Sequence, residues 1–404
     1  MCPRRRRQTG RRTFRGPKYL DPEPNREGIP MTHLSRFAAV LSALGLAAAL
    51  STAPAVAQEK HKIFLSMSYI GNDWQAEAAN MVKAMSAHSS MADKVDLQVQ
   101  VAGPNAQRQI QQINAMVQAG ADAIVVFPIS PTALNSVVKN ACDKGVLVFA
   151  YDAEITEPCA YNISIDQEEA GRVTAEWLVE RLNGEGDIVT VTGVPGTSVD
   201  TLRTQAAMEV FDQHAGINIV AEAVGMWSQA VARTELSKIL ATRTWDDIDG
   251  LWMQAGCYTA NAMQLEANKT PEQLLPCAGE GSNGGRIQML PAGTEVAGGD
   301  CPYCPMGAPR ISYASPPYSG ALALKKAVEA LEGAEVEKKI TLPLPVVTSE
   351  TIKYCETGSW EEQQAGCNAF PPELVPNPGW FASIFSEETP EVGFDAALIG
   401  QPEM

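Results

Sequence analysis

The chain has 404 residues, with 31 Lys and Arg against 47 Asp and Glu, a net charge of −16 and 45% hydrophobic residues. Such acidity argues against nucleic acid or an anionic membrane surface as a partner. The length exceeds what one hydrophobic core usually serves, so two lobes are expected.

Residues 1–30, which include Arg4 to Arg7 and the acidic, proline-containing DPEPNREG, precede Met31 and do not suit an export signal. They read as an upstream extension, with Met31 as the first residue. Residues 37–57, FAAVLSALGLAAALSTAPAVA, follow His33 and Arg36 and end in Ala55-Val56-Ala57. A charged flank, an Ala-rich apolar core and a small-residue break form a cleavable secretory signal over 31–57. The core stops at Pro54, short of the roughly 20 strongly apolar residues that a membrane span needs. The first 57 residues carry 10 of the basic and 3 of the acidic residues, so the remainder has a charge of −23.

Beyond Gln58 the pattern alternates short apolar runs with amphipathic segments. Strands are expected at 62–68, 97–101, 123–127, 146–151 and 162–165, and again at 187–192, 217–224, 250–253, 274–277 and 310–313. Between 108 and 166 the unit is clearest: Ile110, Ile113 and Val117 share one helical face, as do Leu134, Val137, Val138 and Ala141. The runs between them are four to six residues of Val, Ile and Phe, the signature of strands buried on both faces of a parallel sheet. The fold class is therefore α/β, and two β/α runs of similar size suggest two similar lobes in tandem. After Ser315 the first pattern returns, with a helix at 321–331 and an extended segment at 339–347. Ligands on such sheets bind beyond the carboxyl ends of the strands.

Eight of the nine cysteines follow the signal: Cys142, Cys159, Cys257, Cys277, Cys301, Cys304, Cys355 and Cys367. An even count in an exported chain reads as disulfides, and pairing of sequence neighbours is the simplest scheme. Residues 355–404 are rich in Pro, Trp and Glu, and read as a C-terminal extension stapled to a lobe by a Cys355–Cys367 bridge.

Residues 62–353 resemble type I periplasmic solute-binding proteins of ABC importers, of the ribose/galactose-binding type. The motifs that carry the resemblance occur in order: SYIGNDW (68–74), AMVQAGADAIVVFP, the strand ending at Asp152, NISIDQEEAGRVTAEWL, GVPGTSVDTLR, SPPYSG and PLPVVTSETI. The resemblance implies two Rossmann-like lobes with parallel sheets, joined by three hinge strands around a solute cleft, with residues 58–165 plus 315–344 in one lobe and 166–314 plus 345–354 in the other. It implies a small-molecule solute, a membrane permease as partner, a monomer, a periplasmic location and no cofactor.

The cleft positions it implies are Ser68, Asn72, Trp74, Asp152, Arg203, Trp227, Gln254 and Glu280, with Gln75 and Asn283 as additions. The chemistry suits a sugar or polyol. Indole faces match the C–H face of a ring, an amide donates and accepts, and charged groups bind vicinal hydroxyls through charge-assisted bonds. The chain also departs from the ribose type. Ala153 stands where an Arg is usual, Ala255 where an Asn is usual, and Ala314 at a hinge position that often holds Gln. Ribose is therefore not carried over as the ligand.

Four other readings compete. The exported part has His61, His88 and His214 as its only histidines and no Gly-x-Ser-x-Gly or His-Glu-x-x-His motif, so an enzyme would rest on Asp152 and Glu280 as a glycosidase pair by residue type alone. Cys301-Pro302-Tyr303-Cys304 matches a redox motif, but a reactive pair needs a helix N-terminus, and Pro305 follows directly. A lactose-repressor-type regulator would need a DNA-binding headpiece in place of the export signal. A sensory receptor would use the same closure as a transport protein.

Overall fold

The computed structural model describes residues 59–403; the extension and signal expected over 1–57 lie outside the described residues. The first series of elements runs β1 (His61–Met67), α1 (Asp73–Ala87), β2 (Val95–Val101), α2 (Ala106–Gln118), β3 (Ala123–Phe127), α3 (Asn135–Asp143), β4 (Leu147–Tyr151) and β5 (Tyr161–Ser164). The second runs α4 (Gln167–Arg181), β6 (Glu185–Thr192), α5 (Ser198–Asp212), β7 (Gly216–Val224), α6 (Gln229–Ile239), β8 (Gly250–Met253), α7 (Cys257–Glu266), β9 (Cys277–Glu280), α8 (Asn283–Met289) and β10 (Arg310–Tyr313). The chain then forms α9 (Ser319–Leu331), β11 (Lys339–Thr341), β12 (Val346–Thr348), α10 (Trp360–Gln364) and α11 (Phe394–Ile399).

These strands build two six-stranded sheets, ordered β2-β1-β3-β4-β5-β11 and β7-β6-β8-β9-β10-β12. Every pairing is parallel except that of β10 with β12. All five residues of β3 and all four of β8 are buried, as helices on both sheet faces require. Each lobe thus has two apolar layers. In the first, α2 and α3 pack one face through Ile113, Val117 and Val138, while α1 and α9 pack the other through Val82, Leu322 and Val328.

Two sequence expectations move. The strand expected at 274–277 lies at Cys277–Glu280 instead. Pro276 has no N–H to give a ladder, and Leu274 leaves to pack on Met306 and Ala308. The extended segment expected at 339–347 is two strands in different sheets, because Pro343 and Pro345 interrupt the pairing while the chain passes between lobes. The chain crosses between the sheets three times: β5 to β6, β10 to α9 and β11 to β12.

The cysteines pair as sequence neighbours: Cys142–Cys159, Cys257–Cys277, Cys301–Cys304 and Cys355–Cys367. Among the described residues no helix is long and apolar enough to cross a membrane.

The C-terminal extension touches more than the single lobe expected of it. Phe370, Val375, Trp380, Phe381, Ile384 and Val392 are all at most 4% exposed and join the core of the first lobe. Residues 377–382 are held from both sides. On α1, Asp73 Oδ1 accepts from Asn377 Nδ2 at 2.7 Å and Glu77 Oε1 from the Phe381 N–H at 2.9 Å. From the second lobe, the Gly284 N–H donates to the Pro378 carbonyl at 2.8 Å, and the Ala382 N–H to that of Gly281 at 3.3 Å. The extension is therefore a fourth, noncovalent connection between the lobes.

Asn283 is its main clasp. It donates to Tyr303 Oη at 2.6 Å and to the Phe370 carbonyl at 2.9 Å, and accepts from the Phe370 N–H at 2.9 Å. Asn283→Ala would strand these buried groups, at about 1–3 kcal/mol for each one left unpaired. A lowered denaturant midpoint is the expected outcome in an unfolding titration, and an unchanged midpoint would show that the extension is held by apolar packing alone.

Candidate functional site

The carboxyl ends of β1, β4, β6 and β9 converge between the lobes. There the chain lines a cavity with Asn72, Trp74, Gln75, Asp152 and Ser315 on one side and Val199, Arg203, Trp227 and Glu280 on the other. It holds about 270 Å³ free of protein atoms and opens in part to solvent. The two sides also touch: Val194, Val199, Trp227 and Ala255 of the second lobe share an apolar cluster with Trp74 and Phe127 of the first.

Local structure places each side chain. Asn72 caps α1, its Oδ1 accepting from the Gln75 N–H at 2.8 Å, which leaves its Nδ2 for the cleft. Trp74, 6% exposed, donates Nε1–H to the Ser315 carbonyl at 2.7 Å and stacks on Tyr151 with centroids 6.4 Å apart. Trp227, 9% exposed, donates Nε1–H to Gln254 Oε1 at 2.7 Å. With both N–H groups bonded to protein, the two indoles offer the cleft only ring surface.

Asp152 sits one residue past β4 in the left-handed backbone region, with φ at 57°. Trp227 also lies there, with φ at 51°. Non-glycine residues at such angles cost about 1–3 kcal/mol each and concentrate at functional sites. Asp152 Oδ1 accepts from Ser315 Oγ and from Gln167 Nε2, the latter at 3.3 Å. Gln167 Oε1 in turn accepts from Arg203 Nε at 2.7 Å. One amide at the start of α4 therefore links the carboxylate of one lobe to the guanidinium of the other. Arg203 also lies 5.0 Å over the Tyr313 ring.

Burial raises the Asp152 carboxyl above its ordinary value, with Arg203, Ser315 and Gln167 working against the rise. Burial pushes Glu280 up to about 8; Arg203 and Arg310 oppose this and Asp152 adds to it. Glu77, behind the cleft, is raised well above the ordinary value by burial, with Asp73 and Glu280 adding to the rise.

Six of the eight predicted cleft residues line the cavity, as does the added Gln75. Ser68 and Gln254 do not. Ser68 is fully buried beneath it, its hydroxyl without a hydrogen-bond partner among the described residues. Gln254 stands behind Trp227 and is held by Asp200 Oδ1 at 3.0 Å and Thr204 Oγ1 at 2.8 Å, so it orients the indole. Asn283 clasps the extension, as described above. Sequence reasoning missed Ser315, Val199 and the bridging Gln167. Gln167 follows the Asp166 that caps α4, and a first-turn position facing a strand end was the available signal.

Cys301 and Cys304 are bridged within a turn and no helix begins at either. Tyr303 between them packs on Ile287, Leu290 and Ala369, which suits a staple. Cys355, Glu362 and Cys367 come within 4.8 Å of one another, but both sulfurs are taken by the disulfide.

Glycine is required at one point of the cleft wall: a Cβ on Gly193 would overlap the Trp227 indole. Gly193→Ala is expected to displace Trp227, weakening solute binding at least tenfold (about 1.4 kcal/mol) with an unchanged far-UV spectrum, and titration of intrinsic fluorescence checks it. Glu280 generates a pH prediction. Its folded value near 8 exceeds the ordinary 4.5, so between these values the folded chain keeps a proton that the unfolded chain has released. Its contribution to stability thus falls as pH rises through that window. Glu280→Gln cannot ionise and is expected to gain Tm relative to the parent between about pH 5 and 8, as thermal scans at several pH values would show.

The comparisons with known proteins agree with this architecture. A xylitol-binding protein of Mycolicibacterium smegmatis is 26% identical over 182 residues, 44% of this chain and 52% of that protein. A D-xylose-binding periplasmic protein of Escherichia coli is 26% identical over 220 residues, 54% of this chain and 58% of that one. The chain thus matches little more than half the length of these relatives. The Caulobacter myo-inositol binding protein, solved with myo-inositol bound, superposes with a TM-score of 0.62 at 19% identity, over 72% of this chain and 95% of that one. A family model described as a periplasmic binding protein domain matches residues 63–358, and the chain belongs to that family.

Proposed function

We propose that this chain is the solute-binding component of an ABC importer, exported to the periplasm, which takes a sugar, polyol or related small solute into the cleft and closes on it. One observation carries the reading: two indole faces and a set of polar groups, drawn from both lobes, converge on one cavity at the strand ends. Residues 58–165 with 315–344 act as one lobe and 166–314 with 345–354 as the other.

In this reading Trp74 and Trp227 sandwich the ring, while Asn72, Asp152, Arg203 and Glu280 hold its hydroxyls. Ser315, Gln167 and Gln254 keep the binding groups in place. Closure is favoured because both lobes touch the ligand only when shut, so the ligand binds the closed state more tightly. The closed face is what a permease would engage. The chain acts as a monomer with no cofactor and no chemical step. The xylitol, xylose and myo-inositol named for the similar proteins support a polyol or sugar as the class.

The test is a thermal-shift screen of the exported chain against sugars, polyols and small acids. A ligand at a hundredfold its Kd should stabilise by about 2.7 kcal/mol. Asp152→Ala and Arg203→Ala are each expected to abolish that shift while leaving a cooperative unfolding transition. Unchanged affinity in both variants would sink this cleft as the binding site.

A further inference from the structure

The inference concerns the charge of the solute and rests on the reading of this cleft as a polyol site. Several polar groups around the cavity are already committed to protein partners. Both indole N–H groups, Asp152 Oδ1, Asn72 Oδ1 and Arg203 Nε have such bonds. The Glu280 carboxyl is different. It lines the cavity on a residue only 6% exposed and makes no side-chain hydrogen bond among the described residues. Asp152 Oδ2 is likewise unbonded there.

Two carboxyls therefore face the cavity against one guanidinium, that of Arg203. The next cation, Arg310, donates to the Glu280 backbone carbonyl and does not line the cavity. Positions 153, 255 and 314 around the cleft are all alanine and bring no further charge.

We propose that the cleft is built for a polyol that carries an amine, an amino sugar or aminocyclitol, whose ammonium sits between the Glu280 and Asp152 carboxylates against the indole rings. An ammonium supplies three donors and no acceptor, which matches acceptors left without partners. A buried carboxylate is costly when unpaired and is stabilised by a bonded cation. Indole faces with their N–H groups turned away add cation–π attraction. Arg203 and the Asn72 amide remain for the hydroxyls.

The environment of Glu280 supports this assignment. Its charged neighbours are Arg203 on α5, Asp152 after β4, Arg310 on β10 and Glu77 on α1, with the Tyr313 hydroxyl also on β10. Burial among them holds the carboxyl at about 8, protonated at neutral pH. An arriving ammonium favours the ionised form, so the carboxyl gives up its proton as the amine binds.

The experiment pairs each amine with its neutral counterpart on the full exported chain: D-glucosamine with D-glucose, D-galactosamine with D-galactose, and an amino-inositol with myo-inositol. In at least one pair the amine should bind roughly tenfold or more tightly (about 1.4 kcal/mol). Glu280→Gln should cut that amine-to-neutral ratio by a similar factor. Calorimetry of the unmodified chain in buffers of different ionisation enthalpy gives a readout that needs no variant, with net proton release expected for the amine and none for the neutral partner. Neutral members binding as well as or better than their amines, or amine binding without proton release, would overturn the inference and leave the polyol reading intact. No binding by either member of any pair would also overturn this inference, and the wider screen of sugars and polyols would then decide the polyol reading.

Discussion

A carboxylate held out of water at the seam of two lobes is the constraint on which the rest of the cleft depends. Asp152 is 5% exposed and sits at a backbone angle that an aspartate seldom adopts. It can remain there because donors reach it from two places, Ser315 at a lobe crossing and Gln167 at the start of α4, and Gln167 in turn accepts from Arg203 on α5. Each comes from a part of the chain that must be correctly folded before the carboxylate is satisfied.

The C-terminal extension adds a second coupling between the lobes. Binding proteins of this architecture move about their crossings, and here a segment of backbone is hydrogen-bonded to the first turn of α1 on one side and to the loop before α8 on the other. The carboxyl that receives the Phe381 N–H, Glu77, lies close enough to Glu280 for that residue to disfavour the ionisation of Glu77. The extension therefore meets the same electrostatic environment as the cleft, although none of its residues lines the cavity. Its disulfide at Cys355–Cys367 holds the start of this segment in shape before it reaches the seam.

Much of the fold was legible because parallel sheets impose a simple pattern. Strands buried on both faces must be apolar at every position, so AIVVF at 123–127 and GLWM at 250–253 stand out without any alignment. Legibility failed where proline decided the pairing, at Pro276 and at Pro343 and Pro345, since apolar content there continues while the hydrogen-bond ladder does not. In the cleft, Asn72, Trp74, Asp152, Arg203, Trp227 and Glu280 were legible through the family resemblance, whose cleft positions lie beyond strand ends, where ligands of such sheets bind. Ser68 and Gln254 share those strand ends yet sit behind the wall, and a one-dimensional pattern does not separate a wall from the layer that supports it.

By itself the sequence determined the α/β class and the two tandem runs of strand and helix, and it made neighbour pairing of the cysteines the simplest scheme. These are local properties, set by hydrophobic period, strand length and short chain separation. The tertiary structure alone decided which polar groups are spent on one another and which stay free. Gln167 meets Arg203 across 36 residues, Ser315 meets Asp152 across 163, and Phe381 meets Glu77 across 304. Contacts over such separations follow from how two sheets and an extension pack together, because satisfying a buried charge depends on distance in space and not on position in the chain.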